Sequence, residues 1–113
     1  HIYTEIKAEH TTENVYYSYK LAKKLGFATI AFASDPFQTK MMQKFIRKKV
    51  DPAVPVIPFV ADTLKIIEPG MIDPLIDSQQ AFKEDFISLK KRQGPLKRWR
   101  GTRGKNIDKK AYE

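Results

Sequence analysis

Between Glu9 and Lys49 two helix-start signals flank one short apolar strand, an order compatible with few folds. Thr11 and Thr12 stand before Glu13 and Asn14, and an apolar period follows at Val15, Tyr19, Ala22 and Leu25. Hydroxyl side chains cap helix starts, and the run halts at Gly26, the residue type favoured just past a helix end. The spacing predicts a helix over Thr12–Leu25. Phe27–Ala33 is almost wholly apolar, so Ala28–Ala33 reads as a central parallel strand covered on both faces. Ser34-Asp35-Pro36-Phe37-Gln38 then opens a second helix. Asp35 suits the N-cap, Pro36 the first helical position, and Gln38 can close a capping box. Met41, Met42, Phe45 and Ile46 continue its apolar face to Lys49. Helix, strand and helix joined this tightly make half of an α/β layered domain. In such domains the loop after a strand's carboxyl end carries the ligand. Here that loop is Ser34-Asp35-Pro36.

The flanking segments are weaker. Ile2–Ile6 alternates loosely and predicts a strand leading to Glu9. Val50–Pro55 is a proline-punctuated linker. Val56–Val60 predicts a second strand, parallel to the first and reached by a right-handed crossover. Pro58 points to an edge, a bulge or the strand's end. Ala61–Pro69 fits a loop with a helical turn. A third helix can begin at Asp73-Pro74 or Asp77-Ser78, with Ala81, Phe82, Phe86 and Leu89 on one face, ending near Gln93. Two or three strands cannot form a doubly covered sheet alone. The expectation is that a preceding N-terminal part, or another chain, completes it; the alternative is a small self-sufficient domain.

Charge divides the chain. Residues 1–89 hold eleven Lys/Arg against eleven Asp/Glu, whereas residues 90–113 hold ten against two, which accounts for the whole net charge of +8. Residues 1–93 therefore read as the α/β part and 94–113 as a basic tail. Ordering such a tail costs about 1–2 kcal/mol of backbone entropy per residue. Leu96, Trp99 and Ile107 can offset only part of that, so order requires packing on its own domain or on a partner. A solubilising tail or a clamp on an acidic patch of the same domain is the plain reading. An anionic membrane surface is the next, and nucleic acid ranks last. With no cysteine, disulfides, thiolate metal sites and a cysteine nucleophile are excluded. No apolar run reaches the ~20 residues of a membrane-spanning helix.

Two polar clusters are candidates for chemistry. Glu9, Thr12, Glu13 and Asn14 gather at one helix start, where free N–H groups and the positive dipole end suit an anion. Either glutamate could act as a general base or hold a hydroxylated ligand; an ordinary cap explains the same residues. Ser34, Asp35 and Gln38 follow the strand, and there Asp35 serves a ligand or simply the cap. His1 and His10 are too isolated for metal-ligand spacing, and no metal site is expected. No glycine-rich phosphate loop, nucleophile elbow or zinc-protease motif occurs.

Taken together, the clusters resemble the YdcF/SanA/ElyC-like family, a bacterial domain of unknown function. Its members show an "E…T-x-E-N" helix start, an apolar strand, and then "T/S-[SD]-x-[FY]-H-x-x-R". Glu9, Thr12, Glu13 and Asn14 match the first motif, and Ser34, Asp35, Pro36, Phe37 and Gln38 the second, over about residues 2–60. Gln38 stands where the family has His, and Met41 where it has Arg, with Lys40 beside that position. Glutamine keeps hydrogen bonding and loses proton transfer at neutral pH. The family's glycine-rich first strand is absent from this stretch. The resemblance implies the C-terminal part of a Rossmann-like three-layer α/β sandwich with a mostly parallel sheet. It also implies a pocket at the strand ends, with Glu9, Thr12, Glu13, Asn14, Ser34, Asp35, Gln38 and Lys40 as ligand-binding residues. The ligand implied is nucleotide-like or phosphate-bearing, S-adenosylmethionine among the possibilities. The context implied is bacterial envelope biogenesis at the inner membrane, with the cytoplasm as the other location; no reaction is implied. The alternative class is a non-enzymatic module that docks on a membrane or a partner through the basic tail.

Overall fold

The first helix, α1, spans Thr11–Lys24, one residue earlier than the expected start because His10 takes the N-cap. Glu13 lies in its first turn. Its Oε2 accepts the Glu9 N–H at 2.8 Å and the His10 N–H at 3.3 Å. The carboxylate thereby joins the approach segment to the helix and complements the dipole. These elements belong to a computed structural model that describes residues 1–72 and 75–113, Ala81 by its backbone alone.

Strand β1 is Phe32–Ser34, and it pairs in parallel with β2, Val56–Pro58, in the register Phe32↔Val56, Ala33↔Ile57 and Ser34↔Pro58. The expected parallel pairing is present, and the domain is mixed α/β. The expected extent and position of the first strand are not. Among the described residues the sheet has two strands, so β1 is an edge strand rather than a central one. The strand forms only where β2 supplies a ladder, with the Phe32 N–H on the Pro55 carbonyl and the Phe59 N–H on the Ser34 carbonyl. Among the described residues no strand lies opposite 28–31, which stay irregular. Ile2–Ile6 likewise forms no strand; Ile2 and Ile6 are exposed, and Tyr3 meets Phe27 edge-on with centroids 6.2 Å apart.

Helix α2, Pro36–Phe45, starts as expected. Asp35 Oδ1 accepts the Phe37 and Gln38 N–H groups at 2.9 and 3.0 Å. It runs on as a π-helical turn, Ile46–Val50. Val15, Met42 and Ile46 form the buried centre, with Phe32, Phe45, Val50, Val54 and Val56 packed against them. Each fully buried aliphatic side chain contributes roughly 1.5–3 kcal/mol. The Tyr19 hydroxyl donates to Asp51 Oδ2 at 2.8 Å, tying α1 to the linker.

After β2 come α3 (Ala61–Ile67), a 3₁₀ turn (Ser78–Ala81) and α4 (Leu89–Arg92). The expected long third helix is not formed. Phe82 and Phe86 are exposed, and without a surface to receive an apolar face a helix of this length has little to hold it. The proposed start at Asp73-Pro74 lies outside the described residues.

The basic tail is ordered on its own domain. Gly94 caps α5, Pro95–Thr102, with Pro95 at its first position. Thr12 Oγ1, buried on α1, donates to the Gly101 carbonyl at 2.6 Å. A Cβ at Gly101 would lie 2.2 Å from His10 Nε2, so only glycine permits this approach. Gly104 has φ +68°, and a Cβ there would also lie 2.6 Å from the Phe45 ring. Farther on, the Asp108 N–H donates to the Tyr17 hydroxyl at 2.9 Å, and the Tyr112 hydroxyl donates to Glu5 Oε1 at 2.8 Å.

Candidate functional site

Because α1 runs down to Lys24 and the chain then returns through β1, the start of α1 lies beside the carboxyl end of β1. A cavity of about 430 Å³ opens there. Glu9, His10, Thr11 and Asn14 line it from the α1 start, Ser34 from the end of β1, and Gln38 from α2. Val15, Phe32 and Ala33 supply apolar wall. Glu9, Asn14, Ser34 and Gln38, put forward from the sequence, thus meet in one cleft.

Thr12, Glu13, Asp35 and Lys40 do not line it. Thr12 is buried and engaged with Gly101, and Glu13 is buried and engaged with the backbone before α1. Asp35 is committed to the first turn of α2, and Lys40 is exposed on that helix. For Thr12, Glu13 and Asp35 the requirements of the fold account for the chemistry present. A buried carboxylate or hydroxyl needs partners, and theirs are intramolecular.

Residues that sequence reasoning passed over complete the site. Glu9 receives hydrogen bonds from Arg92 Nη1 and Gln93 Nε2. The Arg92 hydrogen bond chiefly holds the Glu9 carboxyl below its ordinary range, aided by the guanidinium charge and the Gln93 bond, while burial opposes. Gln93 is itself buried, and its Oε1 lies 2.9 Å from His10 Nε2. Since the Gln93 amide nitrogen donates to Glu9, its oxygen must accept, which assigns the proton to His10 Nε2. Glu9 and His10, which line the cleft, are therefore braced by residues 83 positions away in the sequence. The one local signal was an uncharged Gln following Lys90-Lys91-Arg92 and preceding Gly94-Pro95.

A carboxylate held ionised in this way is a weak proton acceptor near neutrality and a good acceptor of hydrogen bonds. Gln38 is the converse. Its Oε1 is buried and has no hydrogen-bond partner among the described residues. Thr11, at the first position of α1, belongs to the turn whose N–H groups lack intrahelical acceptors. The cleft thus combines acceptors at Glu9 and Gln38 with a helix start able to receive an anion. Among the described residues no three His, Asp or Glu side chains gather as a metal site. No described helix is long and apolar enough to cross a membrane. Comparison with protein-family models, with curated proteins and with solved structures yields no match.

Proposed function

We propose that this protein binds a nucleotide-like or other phosphate-bearing small molecule in the cleft at the carboxyl end of β1. The observation that carries the reading is the buried, unpartnered Gln38 Oε1 in a cleft of ligand size. An unsatisfied buried acceptor is costly, and a turn of the Gln38 amide toward the cleft would let a ligand N–H or O–H satisfy it. A phosphate would sit at the α1 start near Thr11. Arg92 offsets the Glu9 charge, leaving the carboxylate to accept from ligand hydroxyls. S-adenosylmethionine is the nucleotide-like candidate suggested by the YdcF/SanA/ElyC-like resemblance, and bacterial envelope biogenesis is the setting that accompanies it. The parallel β1–α2–β2 unit supports placement in a Rossmann-like three-layer architecture, completed by further chain or by a partner. Binding, rather than a reaction, is the function proposed, since Gln38 cannot transfer a proton at neutral pH.

Calorimetric titration with inorganic phosphate, ADP and S-adenosylmethionine tests it. At least one should bind, and Gln38→Leu should weaken that binding about tenfold, the worth of one hydrogen bond. The same substitution should leave thermal stability unchanged or raised, because it removes an orphan acceptor. Absence of binding by all three at millimolar concentration would refute the reading.

A further inference from the structure

We propose that α5 docks the protein on an anionic lipid bilayer through the face it turns away from α1. Leu96, Trp99, Arg100 and Arg103 follow one another at the spacing of a single helical face and are all exposed. Gly101 and Arg98 occupy the opposite side, where Gly101 is buried against His10 and bonded to Thr12. Docking on α1 therefore fixes which way the outer face points. Leu96 and Trp99 are 70% and 46% exposed, so an aliphatic and an aromatic side chain stand side by side on a cationic ground.

That ground is free to act. No carboxylate occurs from Gly94 to Ile107. None of Lys97, Arg100, Arg103 and Lys105 forms an ion pair among the described residues, in contrast to Arg92 with Glu9. Cations attract an anionic leaflet, while Leu and Trp insert at the headgroup boundary. Two features favour lipid over nucleic acid. Leu96 offers nothing to a base. The Arg103 guanidinium lies 4.3 Å from the Trp99 ring centroid, covering a face that stacking on a base would need.

Trp99 is the sole tryptophan and reports directly on this face. The intact chain is mixed at low salt with phosphatidylcholine vesicles containing or lacking phosphatidylserine. Expected are co-sedimentation and a blue shift of Trp99 emission with the phosphatidylserine vesicles only, with binding lost as salt rises. Arg100→Glu with Arg103→Glu should weaken binding at least ~30-fold, from roughly fivefold per cation near the surface. Both side chains are exposed, so circular dichroism of this variant should match the parent, with only the slight loss of thermal stability that removing the Arg103 contact with Trp99 brings. The proposal is overturned by equal binding to both vesicle types, by binding without an emission shift, or by a double variant that binds like the parent. It is equally overturned if a single-stranded oligonucleotide quenches Trp99 while phosphatidylserine vesicles leave it unchanged, which would make the face a nucleic-acid surface.

Discussion

Two regions of this chain reverse what their compositions suggest. The stretch from Ile66 to Ile87 is rich in apolar residues, yet Ile66, Ile67, Ile72, Leu75, Ile76, Phe82 and Phe86 all stand exposed. The tail from Gly94 onward is cationic and sparse in apolar residues, yet it is knitted to α1 at Gly101 and Asp108 and to Glu5, ahead of that helix, at Tyr112. Hydrophobicity orders a segment only when an opposing surface exists to receive it. The core at Val15, Met42 and Ile46 is already filled by Phe32, Phe45 and the valines. The tail succeeds because each of its contacts meets a specific partner: a glycine against an imidazole, a carbonyl against a buried hydroxyl, an amide against a phenol.

Gly101→Ala should break the contrast most strongly. Its methyl would fall on the His10 ring, which Gln93 holds in place. Overpacking of this kind costs about 1–3 kcal/mol, more than the roughly 1 kcal/mol that alanine returns in helix propensity. Chemical denaturation should show a net loss of stability, accompanied by release of α5. Thr12→Val keeps the shape and removes the donor to the Gly101 carbonyl; a loss of about 1 kcal/mol is expected in the same measurement.

A smaller effect concerns acid. The Glu9 carboxyl is depressed in the folded state, chiefly by Arg92. Its contribution is therefore present above the unfolded carboxyl's range, about 4.3, and fades as pH falls through the lower folded value. Glu9→Gln should flatten the acid limb of a stability–pH profile and leave the slope above pH ~6 unchanged. Smallest of all, Leu75→Ser and Ile76→Ser should each shift stability by no more than ~0.5 kcal/mol, because neither is covered. A large loss from either would mean that the exposed stretch packs after all.

Legibility followed range of interaction. Both principal helices were readable because their signals are local: Glu13 in the first turn of α1, Gly26 after that helix, and Asp35-Pro36 opening α2. The parallel β1–β2 pairing was readable from the helix between the strands. Strand length was not, since residues 28–31 needed a neighbour that the sequence does not name. In the cleft, Asn14, Ser34 and Gln38 were found from motif position. Thr12 and Glu13 were selected by the same reasoning but are spent on the fold. Arg92 and Gln93 were invisible because their partner, Glu9, lies 83 and 84 residues away. The Gly101 approach to α1 spans 89 residues, and nothing local announces it.

Hydrogen exchange of the intact chain, resolved by residue, tests the docked tail most directly. The Asp108 N–H, bonded to the Tyr17 hydroxyl, and the Lys105 N–H, bonded to the Arg100 carbonyl, are the decisive probes. With the tail docked on α1, both should exchange at least about a hundredfold more slowly than an unstructured amide, an opening free energy near 3 kcal/mol. The amides of Phe82 and Phe86, by comparison, should exchange quickly. Unprotected exchange at Asp108 and Lys105, at the rate of the Phe82 stretch, would contradict the docked tail.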